Sequence, residues 1–183
     1  MIPTRSISPS LAIVPLLAAL SGCATAPRSA EDRQDLKASA TDALKQMEAQ
    51  DPGLGKFLEG AHGYAVFPHV GKGGYIFGGG YGRGIVYKGG RPVGYADVTQ
   101  ASVGLQVGGQ SFMQILAFEN AAAFDRFTEG SLNLAANVSA VILKTGAAAA
   151  AKYTDGVAVF VKPIAGAMVE ASVGGQQFSY RPE

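Results

Sequence analysis

The chain has 183 residues, a formal net charge of +1, 48% hydrophobic residues and a single cysteine. A charge so close to zero excludes the strongly basic character that a nucleic-acid binder ordinarily carries, and one cysteine excludes an internal disulfide framework. The length suits one domain with a core of its own.

The first element is an apolar run from Leu11 to Leu20, with Arg5 as the leader's only charge. It is too short to span a bilayer as a helix, so residues 1–22 read as a secretory signal rather than a fold element. The run ends in Leu20-Ser21-Gly22-Cys23, which resembles the bacterial lipobox. That likeness implies acylation of the Cys23 thiol, removal of the leader and acylation of the new amino terminus. The plainer alternative is an ordinary signal with a cysteine at its cut, but an unmodified lone thiol in an exported chain is a liability that lipidation removes. Each buried methylene contributes roughly 0.8 kcal/mol, and more than one acyl chain makes attachment stable. Ala24, where aspartate is absent, resembles lipoproteins sent to the outer membrane. The expected location is therefore the bacterial cell envelope, on the periplasmic side of the outer membrane. Without the leader, 161 residues remain with 14 basic and 14 acidic side chains.

Residues 23–30, with Pro27 and no periodicity, suit a tether, and 31–183 form the expected domain. Leu36, Ala40, Ala43, Leu44 and Met47 recur at helical spacing and predict a helix ending before Pro52; Leu54, Phe57 and Leu58 predict a shorter one closing at Gly60. Both suit a cap packed on a sheet, with a membrane-surface element as the other reading. From Gly63 the pattern becomes aromatic and β-branched runs cut by glycine. Strands are predicted at Tyr64–Phe67, Tyr75–Phe77, Gly84–Tyr87, Val93–Val98 and Gln110–Phe118. Gly89-Gly90 marks a hairpin turn, and Phe112–Phe118 is apolar enough for a central strand. Asn120 can cap a helix from Ala121 to about Glu129, stopped by Gly130. The alanines of Gly146–Ala151 favour helix but are too few to hold one unaided. Val157–Val161 reads as a buried strand, and Ala165–Tyr180 as strand broken at Gly174-Gly175.

Fifteen of the 48 residues from Gly63 to Gln110 are glycine. Gly80, Gly82 and Gly84 alternate along one strand face, where the missing side chains admit another backbone or a bound apolar group. The sheet is therefore expected to be kinked, bulged or curled. An echo is also visible: Ala101-Ser102-Val103-Gly104 recurs at 171–174, and Val107-Gly108-Gly109-Gln110 recurs as Val173-Gly174-Gly175-Gln176. It suggests two hairpins meeting one close-packing demand side by side.

No nucleotide motif survives inspection: Gly73 follows Lys72 where a P-loop needs a hydroxyl, and no Gly-x-Gly-x-x-Gly is spelled in this glycine run. His62 and His69 lack metal spacing and read as structural, Ser111, Ser131 and Ser139 lack a nucleophile elbow, and Asp97 lacks a second carboxylate for acid-base work and is expected to pair with Arg91 or a turn amide. A non-catalytic protein with no cofactor and no metal is expected.

The order Lys72-Gly73-Gly74, Gly80-Tyr81-Gly82-Arg83-Gly84-Ile85-Val86, Gly104-Leu105-Gln106-Val107-Gly108-Gly109-Gln110, Ile115–Phe118 with Asn120, then Gly130–Ser139 and Gly166–Glu170, resembles the SYLF lipid-binding domain family over roughly Asp35 to Tyr180. The resemblance implies binding to membrane phospholipids; the phosphoinositides and actin of eukaryotic members are not expected ligands in a bacterial envelope. It also implies membrane contact through the amino-terminal helices, hence Lys37, Lys45 and Lys56, although Ala24–Glu59 has seven acidic residues against five basic. Ala61–Phe118 is locally positive, with Lys72, Arg83, Lys88 and Arg91 against Asp97 alone, and this makes Lys72 and Arg83 equal candidates for headgroup contact. The fold class expected is α+β: one strongly bent antiparallel glycine-rich sheet, barrel- or sandwich-like, covered by the amino-terminal helices and one mid-chain helix. The function expected is that of an acyl-anchored envelope lipoprotein binding phospholipid. The alternative is an envelope interaction protein with no lipid site beyond its own anchor, its protein partner unknown.

Overall fold

In the computed structural model the described residues are 29–134 and 140–183, with the side chains of 106 and 167–173 outside the description. Cys23, the leader and most of the tether lie outside the described residues, as do 135–139 within the stretch that ends at Ser139.

The chain enters α1 (Ala30–Gln50), whose first turn is capped by the Ser29 hydroxyl accepting from the Asp32 amide at 2.9 Å. Helix α2 (Gly53–Glu59) follows Pro52, as predicted. Strands β1 (Gly63–Gly74) and β2 (Phe77–Lys88) form a hairpin. Strand β3 (Arg91–Phe118) runs beside β2, passes the hairpin tip and returns beside β1. Then come α3 (Ala121–Thr128), short strands β4 (Asn133–Leu134) and β5 (Val141–Ile142), helix α4 (Ala147–Ala150) and strand β6 (Val157–Pro182). Strand β6 follows β3 along almost its whole length, from Gly94↔Pro182 to Phe118↔Val157. The sheet is thus nested, with the β1–β2 hairpin inside the bend of β3 and β3 inside that of β6. It is antiparallel apart from the β5–β6 pair.

The curled α+β sheet expected from glycine content is borne out, but its strands are longer than the sequence suggested. Val93–Val98 and Gln110–Phe118 belong to one strand. Gly104 and Gly108, at φ 144° and 116°, turn its backbone without ending its pairing. Gly174-Gly175 likewise does not interrupt β6, where both pair with β3 at Ser102 and Ala101. Of the echoed segments, Ala101–Gly104 lies beside its copy at 171–174, whereas Val107–Gln110 pairs with 166–169 and not with its copy at 173–176; both copies belong to the paired strands β3 and β6 rather than to two hairpins. The predicted strand Tyr75–Phe77 is corrected: Tyr75 and Ile76 form the hairpin tip and only Phe77 begins a strand. Aromatic and β-branched composition pointed to a strand there, yet these side chains are exposed.

Alternation divides the sheet between two cores. Val66, Ile85, Met113, Ile115, Ala117 and Phe160 pack outward beneath Ala40, Ala43 and Met47 of α1 and Leu54 and Leu58 of α2. The amino-terminal helices are therefore a cap on the sheet, as one of the two readings held. Ala65, Phe67, Val86, Leu116 and Phe118 face the inside of the curl, where α3 contributes Phe124 and Phe127. Phe118 and Phe127 lie 4.8 Å apart between ring centroids, and Phe127 continues to Phe178 at 5.6 Å. The Asn120 side chain caps α3 by accepting from the Ala123 amide at 3.0 Å, and Phe112–Phe118 is flanked by β1 and β6, the central strand expected.

The glycine face of β2 admits a backbone rather than a ligand. A Cβ at Gly84 would stand 2.5 Å from the Val66 carbonyl oxygen and 2.8 Å from the Phe67 ring. The nearby register shift in β1, between Val66 and His69, holds Pro68, which has no amide proton to give a ladder. We expect Gly84→Ala to lower unfolding stability by about 1–3 kcal/mol. Gly71→Ala, where a Cβ meets nothing within 4 Å, serves as the near-neutral comparison in the same urea titration.

Asp51 joins three helices. Its carboxylate is almost fully buried and accepts from the amides of Gly53 at 3.0 Å, Gly146 at 3.2 Å and Ala148 at 2.7 Å. Burial alone would raise its pKa, but the amides of Ala148, Gly53, Gly146 and Ala147 outweigh burial and hold it below the ordinary value. These bonds explain how the short alanine helix holds. The stabilisation is complete above the unfolded carboxyl pKa of about 3.9 and is lost as pH falls through the depressed native value. Asp51→Ala is expected to cost about 2 kcal/mol at neutral pH, with the gap to the parent narrowing in acid, as denaturation at about pH 7 and about pH 3 will read.

Candidate lipid-contact site

Inside the curl the side chains change character along the strands. Toward the Gly89-Gly90 end the interior is aromatic, closed by α3; toward the β1–β2 tip it becomes amide-rich. Gln114, fully buried on β3, exchanges two hydrogen bonds with Gln176 of β6, at 2.8 and 3.2 Å. Gln100 and Gln110 line the same cleft, and so does Lys72 of β1. Apolar side chains are interleaved with these: Phe112 stands between Gln110 and Gln114 on β3, Pro163 and Val161 of β6 pair with Phe112 and Gln114, and Val159, Leu134 and Ile142 complete the lining. The cleft measures about 340 Å³ and is open on one side. The Gln100 Oε1 atom is buried with no hydrogen-bond partner among the described residues, so a donor arriving in the cleft would meet an unmet acceptor.

The structure does not gather the five cations proposed as headgroup contacts into one patch. Lys72 lies in the cleft. Arg83 lines a separate cleft on the outer face with Asp32 and Asp35 of α1, a setting in which acidic neighbours offset its charge. Lys37 is ion-paired with Glu183, and that hydrogen bond holds its pKa above the ordinary lysine value. Lys45 and Lys56 are exposed on α1 and α2.

Possible catalytic groups are likewise apart. His62 packs edge-on to Phe124, with centroids 5.8 Å apart, while His69 lies on the outer face beside Arg83. Asp97 accepts from Tyr81 at 2.9 Å and Ser179 at 3.3 Å and sits opposite Arg83 in the strand register, while Arg91 stands opposite Lys88 at the start of β3. Among the described residues no group of histidine, cysteine and carboxylate side chains has metal-site geometry.

Sequence reasoning missed the glutamines. The signal was present, because Gln110 and Gln176 end the two copies of Val-Gly-Gly-Gln, and Gln114 interrupts the apolar run of a central strand.

A curled sheet enclosing an amphiphilic cleft is the setting for comparison with known proteins. Residues 99–183 match the family described as Ysc84, Las17-binding protein actin regulator. The SYLF resemblance read from the sequence is thereby borne out over that part of the chain. Beta cell expansion factor A of Aeromonas veronii is similar at 26% identity over 161 residues, covering 83% of this chain. The chain spans 59% of that relative's length.

The glutamine pair gives a direct test. Gln114→Leu or Gln176→Leu alone strands a buried amide and is expected to cost about 1–3 kcal/mol, whereas the double variant removes both partners and should recover most of that loss. A double-mutant cycle by chemical denaturation measures the difference.

Proposed function

We propose that this chain is an acyl-anchored protein of the bacterial envelope whose domain binds phospholipid without catalysis. The observation that carries this reading is the interior cleft, whose lining combines Lys72 and the amides of Gln100 and Gln110 with the apolar side chains of Ile142, Val161 and Pro163. Such a cleft matches the two ends of an amphiphile. A phosphate and glycerol oxygens suit the lysine and the amide donors, and acyl methylenes suit the aliphatic side chains. At about 340 Å³ it accepts a headgroup and the adjoining chain segments rather than a whole lipid, so the remainder of the molecule stays outside its open side. The lipobox at Leu20–Cys23 supports attachment through Cys23, and the SYLF match supports lipid as the ligand class. The separation of His62, His69 and Asp97 supports binding without chemistry.

A second reading rests on the description of the matched family, which names a protein partner. On that reading the sheet surface holds an envelope protein and the cleft is empty in the cell. Crosslinking in whole cells separates the two readings, because lipid adducts favour the first and one abundant protein adduct favours the second.

Mass spectrometry of the organic extract from purified protein tests the proposal. Phospholipid is expected at close to one molecule per chain, and the Gln114→Leu/Gln176→Leu variant, if folded, is expected to lose most of it. Extracts free of phospholipid from both proteins, after purification from membranes without detergent exchange, would overturn the cleft as a lipid site.

A further inference from the structure

The tip of the β1–β2 hairpin carries apolar side chains for which folding supplies no use. Tyr75, Ile76 and Phe77 are 64%, 51% and 75% exposed, and beside them, on the bend of β3, Val103, Leu105 and Val107 are 59%, 63% and 51% exposed. The two groups are joined by a hydrogen bond from the Gly104 amide to the Ile76 carbonyl at 3.0 Å. These six side chains share one end of the sheet, where Phe77 pairs with Val103. A concentration of this kind marks an interaction surface rather than incidental exposure.

The surroundings point to one occupant. No charged residue occurs from Gly73 to Gly82 or from Val98 to Phe118. The charges that the ladder brings nearest to this end are Lys72, opposite Gly80 and Gln110, and Glu170, opposite Gln106 on β6, whose side chain lies outside the described residues. The other end of the sheet differs, with Lys88 and Arg91 flanking the Gly89-Gly90 turn. A protein interface ordinarily has a polar rim, whereas glycines 73, 74, 78, 79, 80, 104, 108 and 109 surround this patch. Aromatic and aliphatic side chains without charge are what a bilayer interface accepts. The backbone suits that setting too, because entry into lipid requires paired amides and carbonyls. Gly104 bonds Ile76, and the Tyr75 amide donates to the Phe77 carbonyl at 3.4 Å.

The chain also enters the domain from the tip side. Asp32 and Asp35 in the first turns of α1 stand beside Gly71, Tyr81 and Arg83, whereas Glu48 near its end stands beside Tyr64 and the Gly89-Gly90 turn. Six residues separate Cys23 from Ala30, a reach of at most about 25 Å. We infer that the hairpin tip and the β3 bend insert together into the outer part of a phospholipid bilayer, orienting the domain with its Gly89-Gly90 end away from the membrane. This deepens the acyl-anchored reading above and rests on it.

The chain contains no tryptophan, so a single introduced one reports its own surroundings. The acylated protein carrying Phe77→Trp or, at the far end, Arg91→Trp is reconstituted in vesicles of phosphatidylcholine and phosphatidylglycerol, the phosphatidylcholine brominated on its acyl carbons. Phe77→Trp is expected to shift its emission to the blue and to be quenched several-fold more than Arg91→Trp. In a Cys23→Ser background, where the tip alone can hold the domain, Ile76→Asp/Phe77→Asp is expected to lower vesicle partition more than about tenfold. An unchanged circular dichroism spectrum checks that the variant is folded. Acylated parent protein that fails to float with vesicles would overturn both the anchored reading and the insertion. Flotation with equal quenching at the two positions would overturn insertion alone. A Phe77→Trp emission already blue-shifted without vesicles, together with a dimer mass, would assign the tip to a second copy and overturn it as well.

Discussion

Strands β3 and β6 must keep their backbone groups paired while the ribbon they form travels around the end of another hairpin. The pairing runs from Gly94↔Pro182 to Phe118↔Val157, with a register shift between Ser111 and Phe112. A buried amide left without a partner costs about 1–3 kcal/mol, so ending the ladder at the bend would be expensive. Gly104 and Gly108 take positive φ values, 144° and 116°, and supply the turn while Gly104↔Ser172 and Gly108↔Met168 remain paired. From that bend follow the curled shape and its inner face, and hence a partly open cleft lined by a glutamine cluster in which Gln114 is fully buried.

Curling also explains why the inner face of β2 is glycine. Neighbouring β1 comes so near that a Cβ at Gly82 would lie 2.7 Å from the His69 carbonyl oxygen, and Gly84 is tighter still at 2.5 Å from that of Val66. The sequence offered two reasons for the alternate glycines, a backbone or a bound apolar group, and the first is the one observed. The open cleft lies elsewhere, where larger side chains line a gap. Tight packing and open space therefore occupy different parts of one curved face.

Local signals were legible where one residue decides the geometry. Asn120 caps α3, Gly89-Gly90 turns a hairpin at φ 57° and 73°, and the uniform apolarity of Phe112–Phe118 marks the strand enclosed on both edges. Signals that depend on distant partners were not. The extension of β1, β3 and β6 through their glycines relies on the ladder of a neighbouring strand, which local propensity does not encode. Tyr75–Phe77 misled because β-forming composition normally reports burial, and here it reports exposure at a turn. Alanines 147–150 are too short a run to nucleate a helix, but three amides around the Asp51 carboxylate secure its start. The cations were visible in sequence, but their company was not: Glu183 meets Lys37 from the far end of the chain.

The order of side chains along the curl ties site to surface. Proceeding from α3 toward the hairpin tip, the interior passes from Phe118, Phe127 and Phe178 to the Gln114–Gln176 pair, then to Lys72 and Gln110, which face each other across β1 and β3. Beyond them Gly73 and Gly74 lead directly to Tyr75. A phosphate at Lys72 would thus lie a few residues, on the order of 10 Å along a strand, from side chains suited to the bilayer interface. The apolar end and the amide-lined cleft are in this sense successive zones of one curled sheet.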